Sequence, residues 1–397
     1  MPHSALPPSQ AAALSRYDAL AALTLTGVML AGAWQIIAAT AGPADLEFPR
    51  RWLDFREGRS TGALEKQLDQ KLPARSALIG AANSVRYLLT GSGGDQVRTG
   101  KDGWLFLTEE LRFDADGNAN LKVRAELLGT AARSLESQGV KLIVALVPDK
   151  ARVYSSRLAN ARYPEYNSSR YADAFHAFQK QGITTVDLLQ PLAQASAQGD
   201  VYYRTDTHWN QTGAEVAAKA LASVIKQSGL KLAKTDFTST KGTPIERPGD
   251  LIRLMGLGDN AKALGLLPDT EAPVVTQQSS AQSTGLFGDD AVPVVVTGTS
   301  YSMRANFVGQ LQQAISSKVL NAAKDGGGFL QAATLYLKDE AFRSNKPKVL
   351  VWELPERFLW RKLDDEAGWL ESVKLSSPRI KDDVVDLVSN HPMHTDQ

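Results

Sequence analysis

Cysteine is absent from the 397-residue chain. The protein therefore has no disulfide framework, zinc–thiolate site, iron–sulfur cluster or cysteine nucleophile. A core of this size needs no disulfides even in an oxidising environment, so the compartment stays open on this ground. Net charge is nearly absent as well, since 44 basic residues face 43 acidic ones. Such a balance supplies no overall field for collecting a nucleic-acid backbone, which argues against a nucleic-acid partner.

Charged residues are missing from residues 19–42, a run of 24 residues that is long enough to cross a bilayer as a helix. The run predicts a transmembrane signal-anchor, with residues 1–18 in the cytoplasm and the rest of the chain outside it. A cleavable signal peptide is the alternative, because residues 39–41 (Ala-Thr-Ala) fit a small-x-small cleavage pattern. The length of the run disfavours a buried core helix.

Beyond this run the sequence predicts a helical entry segment at 43–90, one α/β domain at 91–375 and a polar tail at 376–397. Within the domain, helical patterns near residues 120–138, 168–181, 211–229 and 307–319 alternate with apolar strands near 104–107, 140–147, 183–189, 293–297 and 348–352. This alternation predicts an α/β sandwich with a mainly parallel sheet. Residues 235–290, rich in Thr, Ser, Gln, Gly and Pro, are interpreted as an insertion between sheet elements.

A Gly-x-Ser turn directly follows the predicted strand 293–297. In α/β sheets, ligands bind at the loops that follow the carboxyl ends of the strands. Gly298 permits a tight turn, and Ser300 would present its hydroxyl at the bend between strand and helix, where its own N–H can help to hold an oxyanion. Serine is also a common helix cap, and the turn on its own favours that structural role.

Histidine is scarce, which narrows the choice of a base for Ser300. A serine hydroxyl is a weak nucleophile and needs a histidine that a carboxylate orients. Of the five histidines, four lie in the N-terminal flank, a helical segment or the polar tail: His3, His176, His391 and His394. The fifth, His208, lies in a loop two residues after Asp206. We therefore predict a triad of Ser300, His208 and Asp206.

The same Asp-x-His pair is an alternative metal site, because imidazole and carboxylate both bind zinc or iron. A catalytic metal needs a third protein ligand, and no further histidine is well placed to supply one. The sequence therefore favours the triad and predicts no metal.

Two motifs carry a resemblance to a known family. Residues 206–209 (Asp-Thr-His-Trp), followed by residues 298–302 (Gly-Thr-Ser-Tyr-Ser), resemble the SGNH-hydrolase-like alginate O-acetyltransferase family. In the wider SGNH hydrolases the serine block comes first and the histidine block last. Here the order is reversed, which matches the circularly permuted arrangement of the acetyltransferase branch. Residues 100–106 and 351–357 also resemble that branch, and the resemblance covers roughly residues 90–360.

The resemblance implies an SGNH-like three-layer sandwich and an enzyme that acetylates an exopolysaccharide through an acetyl-serine. The Gly-x-Asn-Asp block that helps to form the oxyanion hole in typical SGNH enzymes is not recognisable, and residues 352–357 take its expected place. Other side chains near the two loops are therefore candidates for oxyanion or substrate binding: Tyr301, Arg304, Asn306, Tyr203 and Trp209.

The resemblance also implies a setting. The protein is expected in the periplasm, anchored to the bacterial inner membrane, without a cofactor. A membrane-bound O-acyltransferase partner is expected to supply acetyl groups, and alginate or a cellulose-like polysaccharide to accept them. Two alternatives use the same sequence features: a secreted carbohydrate acetylesterase, and a non-catalytic polysaccharide-binding subunit of a secretion complex.

Overall fold

The structure is a computed structural model that describes residues 75–159, 162–279 and 292–363, with isolated positions between residues 23 and 34. The chain divides into two units, residues 1–82 and 83–397, and the sheet and candidate site described below belong to the second.

Most of the predicted anchor at 19–42, together with residues 1–18 and the tail at 376–397, lies outside the described residues. At the described positions, no helix is both long and apolar enough to span a membrane. The anchor and the boundaries assigned around it stay predictions.

The strands are β1 (Val97–Thr99), β2 (Leu105–Leu107), β3 (Lys141–Val147), β4 (Thr184–Asp187), β5 (Phe237–Lys241), β6 (Ile245–Arg247), β7 (Asp269–Glu271), β8 (Val274–Gln278), β9 (Val294–Thr297), β10 (Val319–Asn321) and β11 (Val349–Pro355). A five-stranded sheet has the order β10-β9-β11-β3-β4. All its neighbouring strands are parallel, as the sequence predicted. The central pair, β11 and β3, stays in register from Val349 opposite Lys141 to Pro355 opposite Val147.

The helices are α1 (Arg75–Thr90), α2 (Gly117–Glu136), α3 (Lys150–Val153), α4 (Arg170–Lys180), α5 (Leu189–Ser196), α6 (Gln211–Gln227), α7 (Asp250–Leu254), α8 (Asn260–Ala263), α9 (Phe307–Ile315), α10 (Gln331–Lys338) and α11 (Glu340–Ser344). Helices α2 to α6 and α9 to α11 cover the two faces of the sheet, so residues of β3 alternate between two cores. Ile143 packs in one core with Leu221 of α6 and Leu311 of α9. Val144 packs in the other with Leu128 of α2 and Phe178 of α4. The three-layer α/β sandwich is confirmed.

The predicted helix at 307–319 ends earlier than expected. Its last residue is Ile315, because Ser316 adopts a left-handed conformation with φ 50°, and Val319 begins the edge strand β10. Helices α3, α5, α7, α8, α10 and α11 were missing from the sequence-based prediction.

The insertion at 235–290 forms two antiparallel pairs, β5 with β8 and β6 with β7. It is not a separate body, since its residues pack against the loop that carries His208, as described below.

The start of α6 fixes that loop. Asn210 caps the helix by accepting a hydrogen bond from the Gly213 N–H at 3.0 Å. Gly213 packs so closely on the preceding segment that a Cβ at this position would lie 2.0 Å from the Val201 carbonyl oxygen.

We predict that Gly213→Ala lowers the free energy of unfolding by about 1–3 kcal/mol, because the added methyl forces the helix away from the loop. Urea unfolding followed by circular dichroism measures this change. Gly199→Ala is the matched control, since a Cβ there meets no atom within 4 Å. Equal stability of the two variants would contradict the close-packing argument.

Candidate active site

Ser300 lies at the carboxyl end of β9, at the first position of a single helical turn, Ser300–Met303. The turn before it requires glycine, because Gly298 has φ 144° and a Cβ there would lie 2.5 Å from the Glu353 carbonyl oxygen. The buried carboxylate of Glu353 binds residues before and after Ser300. That carboxylate accepts hydrogen bonds from the Thr299 N–H at 2.7 Å and from the Ser302 hydroxyl at 3.0 Å. The serine turn is therefore fixed to β11.

His208 and Asp206 lie in the loop between α5 and α6, which is closed by a bridge between Tyr202 and Trp209. His208 Nε2 lies 2.7 Å from Ser300 Oγ. His208 Nδ1 lies 2.6 Å from Asp206 Oδ1. Asp206 and His208 are 3% and 5% exposed, so the chain of hydrogen bonds is shielded from water along most of its length.

The second oxygen of Asp206 is also bound. Oδ2 accepts a hydrogen bond from the Asp250 N–H at 3.1 Å and lies 3.4 Å from Nη2 of Arg247. Burial acts to raise the pKa of Asp206, but the hydrogen bonds and charge of His208, with the charge of Arg247, lower it well below its usual range. Asp206 is therefore a carboxylate at neutral pH, as is required of the group that orients an imidazole.

Lys150 holds the same loop from the sheet side. Lys150 is the first residue of α3. Its buried ammonium donates hydrogen bonds to the backbone oxygens of Leu105 at 2.6 Å and of Arg204 and Asp206 at 2.9 Å each. Burial lowers the pKa of Lys150 to about 8, while nearby carboxylates such as Glu110 act against that shift. The ammonium thereby ties β2 and the Asp206 loop to the end of β3.

The insertion supplies the outer support of the loop. Asp269 accepts hydrogen bonds from the Arg204 N–H at 2.7 Å and the Thr205 N–H at 2.9 Å. Asp250 accepts one from the Thr207 N–H at 2.7 Å. Backbone donors in the loop are thus paired by residues that lie more than 40 positions later in the sequence.

Asp250 also brings a third potential metal ligand close to Asp206 and His208, with ligand atoms within 4.8 Å of one another. The sequence analysis did not find this third group. One of its two oxygens is in use, however, because Asp250 Oδ1 accepts from both the N–H and the hydroxyl of Thr207, while Oδ2 lies 3.6 Å from His208 Nδ1. His208 uses both ring nitrogens toward Asp206 and Ser300. The geometry therefore favours the triad over a metal centre.

The comparisons with known proteins agree with this arrangement. The family model described as an SGNH hydrolase-like domain, acetyltransferase AlgX, matches residues 97–356. The probable alginate O-acetylase AlgJ of Pseudomonas putida is 35% identical over 329 residues, covering 80% of this chain and 85% of that protein. The protein of the same name from Pseudomonas aeruginosa is 34% identical over 337 residues, covering 81% and 86%. The chain belongs to this acetyltransferase family.

Solved structures support the assignment. The O-acetyltransferase domain of Pseudomonas putida AlgJ has a TM-score of 0.63 and 35% identity, covering 71% of this chain and 99% of that one. Pseudomonas aeruginosa AlgX has a TM-score of 0.54 with 24% identity, covering 70% and 66%, and supports the fold alone.

The aromatic candidates for substrate binding divide into two groups. Trp209 and Tyr301 have no exposed surface, so their rings pack in the core and do not face a substrate. Their rings pack against each other, 4.9 Å apart at nearly right angles, and the Tyr301 hydroxyl donates to the Thr207 carbonyl at 2.9 Å. The Tyr301 ring also packs against the His208 ring, with 4.9 Å between the ring centres. Tyr203 is also buried, and its ring lies under the Arg247 guanidinium at 4.3 Å, so it acts on the Asp206 side.

The polar candidates for the oxyanion hole are engaged elsewhere. The Arg304 guanidinium lies 3.4 Å from Asp325. The Asn306 amide donates to the Thr276 hydroxyl at 2.8 Å, which ties the start of α9 to β8. Within the described residues, no hydrogen bond connects either side chain to Ser300 or His208. The roles of Arg304 and Asn306 toward an oxyanion stay predictions, and Arg304 Nε has no hydrogen-bond partner among the described residues.

Sequence reasoning missed four residues that hold the triad: Lys150, Arg247, Asp250 and Glu353. Glu353 and Lys150 carried a signal, since each is a charged residue within or just after a continuous apolar strand, where an unpaired charge is costly. Arg247 and Asp250 carried none, because they lie in the irregular insertion.

A buried acidic cluster lies beneath the site. Glu110, Asp149 and Glu356 have no exposed surface and share Arg152 and Arg357 as cations. Burial raises the pKa of Glu110 to about 6, although Arg357 acts against that shift. The folded protein therefore binds a proton at Glu110 more tightly than the unfolded chain does.

This raised pKa predicts a pH-dependent difference in stability. The contribution of Glu110 is fully present below about pH 4.5 and is lost as the pH rises through about 6. Relative to the wild type, Glu110→Gln should therefore gain about 2 kcal/mol of unfolding free energy between pH 4 and 7. Urea titrations at several pH values measure this, with the exposed Glu136→Gln as the control for losing a carboxylate. A constant difference between Glu110→Gln and wild type would contradict the assignment.

Glu353→Gln tests the support of the serine turn. The amide replaces one acceptor oxygen with a donor, so Thr299 or Ser302 loses its partner and Ser300 shifts. We expect kcat for hydrolysis of p-nitrophenyl acetate to fall by about 10–100-fold with little change in KM, because misplacement affects the reaction more than binding. Glu340→Gln, on the exposed surface of α11, is the control. Unchanged kcat in Glu353→Gln would show that the carboxylate does not position Ser300.

Proposed function

We propose that this protein transfers acetyl groups to hydroxyls of an exopolysaccharide through an acetyl-serine at Ser300. The observation that carries the proposal is the continuous chain from Ser300 Oγ through His208 to the Asp206 carboxylate, with distances of 2.7 and 2.6 Å. Membership of the acetyltransferase family supports the reaction type.

In the first half-reaction, Ser300 Oγ attacks the carbonyl carbon of the acetyl donor while His208 Nε2 takes the hydroxyl proton. Asp206 keeps the proton of His208 on Nδ1 and stabilises the imidazolium that forms. The bond between the acetyl group and the donor then breaks, and the leaving group receives the proton from His208. Ser300 is partly exposed, so a donor can reach it.

In the second half-reaction, a sugar hydroxyl replaces the donor. His208 accepts the hydroxyl proton while the sugar oxygen attacks the acetyl carbon of the acetyl-serine. The bond between the acetyl group and Ser300 Oγ then breaks, and Ser300 recovers its proton from His208. Water competes for the same step, so weak acetylesterase activity accompanies transfer. Transfer exceeds hydrolysis only when the site orients the sugar better than water.

The Ser300 N–H is the donor best placed for the oxyanion. Ser300 begins a helical turn, and the first N–H groups of a helix have no partner within that helix. An N–H at this position points toward the developing negative charge, as at other strand-to-helix nucleophile turns.

The proposed setting follows from the family resemblance. The acceptor is alginate, since relatives with about one third identity are named probable alginate O-acetylases. The reaction takes place in the periplasm at the inner membrane, with a membrane-bound O-acyltransferase as the source of acetyl groups. We expect no cofactor, because every proton in the proposed steps moves between the substrates, Ser300 and His208.

Replacing the nucleophile and the orienting carboxylate tests the mechanism. We predict that Ser300→Ala abolishes release of p-nitrophenol and acetyl transfer, and that Asp206→Asn lowers kcat on the order of 10³–10⁴-fold. Circular dichroism confirms folding, and mass spectrometry of the rapidly quenched wild type should find an acetyl group on Ser300. Full activity in folded Ser300→Ala would refute the proposal.

The acceptor assay separates the alternatives. The enzyme is incubated with p-nitrophenyl acetate and a mannuronate oligosaccharide, and the sugar is analysed by mass spectrometry. Acetylated sugar supports the transferase, whereas hydrolysis without transfer supports a carbohydrate acetylesterase. No turnover of any ester by the folded wild type supports a non-catalytic subunit. Loss of activity on chelation, restored by a divalent metal, would favour the metal centre.

A further inference from the structure

The described part of the chain contains a cavity of about 460 Å³ whose lining includes none of the three triad residues. We name it the basic cavity, after five cationic side chains that line it: Arg112, Arg170, Arg357, Arg361 and Lys362. Two carboxylates also line it, so cations outnumber carboxylates by three in the lining, while Arg357 also faces the buried carboxylates of Glu110 and Asp149. This local excess of positive charge is not apparent from the net charge of the whole sequence, which is nearly zero.

Arg357 forms the inner wall of the cavity and is incompletely paired. It is only 7% exposed, yet its Nε and Nη1 have no hydrogen-bond partner among the described residues. The carboxylate oxygens of Glu109 and Glu110 lie 3.8 and 3.9 Å from these atoms, beyond hydrogen-bond distance. A buried guanidinium with free donors gains charge-assisted hydrogen bonds when an anion enters the cavity.

The rest of the lining keeps positive charge available. Arg170 is nearly buried and donates to the Arg112 carbonyl at 2.7 Å, with its guanidinium 5.5 Å from the centre of the Trp360 ring. The side chains of Arg112 and Lys362 have no ion pair within the described residues, and both residues are exposed at the mouth. Arg361 forms an ion pair with Glu109.

The cavity lies at the same edge of the sheet as Ser300. Arg357 directly follows the carboxyl end of β11, and Ser300 follows the carboxyl end of the neighbouring parallel strand β9. The Arg357 guanidinium carbon is 5.7 Å from the centre of the Tyr301 ring, and Tyr301 is adjacent to Ser300 in the chain. Ser300 and the basic cavity therefore lie at the same edge of the sheet and are connected through the buried Tyr301 side chain.

We propose that the basic cavity binds the carboxylate of an acidic sugar on the same polysaccharide chain as the sugar acetylated at Ser300. The inference rests on the proposed function for the presence of a polysaccharide at Ser300, and it adds a recognition site that selects a polyuronate over a neutral glucan. Planar guanidinium groups match a carboxylate in two-point hydrogen bonding, which a neutral hydroxymethyl group cannot replace.

Binding of defined oligosaccharides tests the site without catalysis. The parent is the full chain carrying Ser300→Ala, and the probes are a mannuronate oligosaccharide, a neutral mannose oligosaccharide of equal length and inorganic phosphate. Isothermal titration calorimetry gives each Kd. Arg112→Gln with Lys362→Gln should weaken mannuronate binding by about tenfold, since both side chains are exposed and removable without unfolding. Arg357→Gln should weaken it further, and the surface pair decides the result if that variant unfolds.

The control removes the same net charge elsewhere. Lys122→Gln with Lys180→Gln changes two exposed lysines at another cavity, and Kd for mannuronate should stay within about twofold of the parent. Equal Kd in the two double variants, equal binding of the neutral sugar, absence of mannuronate binding by the parent, or binding of phosphate alone would each overturn the inference. Failure of acetyl transfer in the kinetic assay contradicts the proposed function instead, because the binding measurement involves no chemistry.

Discussion

The pairing of the two central strands determines the geometry at Ser300. Glu353 lies on β11 and holds the serine turn, while Lys150 follows β3 and holds the Asp206 loop. Because β11 and β3 are hydrogen-bonded neighbours, both supports are fixed in one frame. The loops that carry Ser300 and His208 therefore meet although these two residues are 92 positions apart in the sequence.

The site uses buried charges for two different purposes. Lys150 and Glu353 are paired by backbone and hydroxyl groups and fix positions, so their charges are locally satisfied. Arg357 is less completely paired and keeps donors free, as its proposed role in binding an anionic ligand requires.

Four of the five strands of the parallel sheet (β3, β4, β9 and β11) and the three candidate triad residues were predictable because their signals are local. Continuous apolar runs marked β3 and β11, and the scarcity of histidine left His208 as the base. The supports of the triad were not predictable, since Arg247 and Asp250 gain their role only when the insertion packs on the loop. The burial of Trp209 and Tyr301 was not predictable for the same reason. Both residues lie beside the site in sequence, but only the folded chain shows that they are part of the core.

The contribution of the insertion bears on how relatives are compared. Arg247 and Asp250 lie outside the sheet and outside both motifs, yet they surround the carboxylate that orients His208. A homologue can therefore keep every motif residue while a shorter or rearranged insertion leaves its aspartate without these neighbours. Motif matching would count such a protein as an intact enzyme, so genome surveys of this family need to align the insertion as well as the motifs.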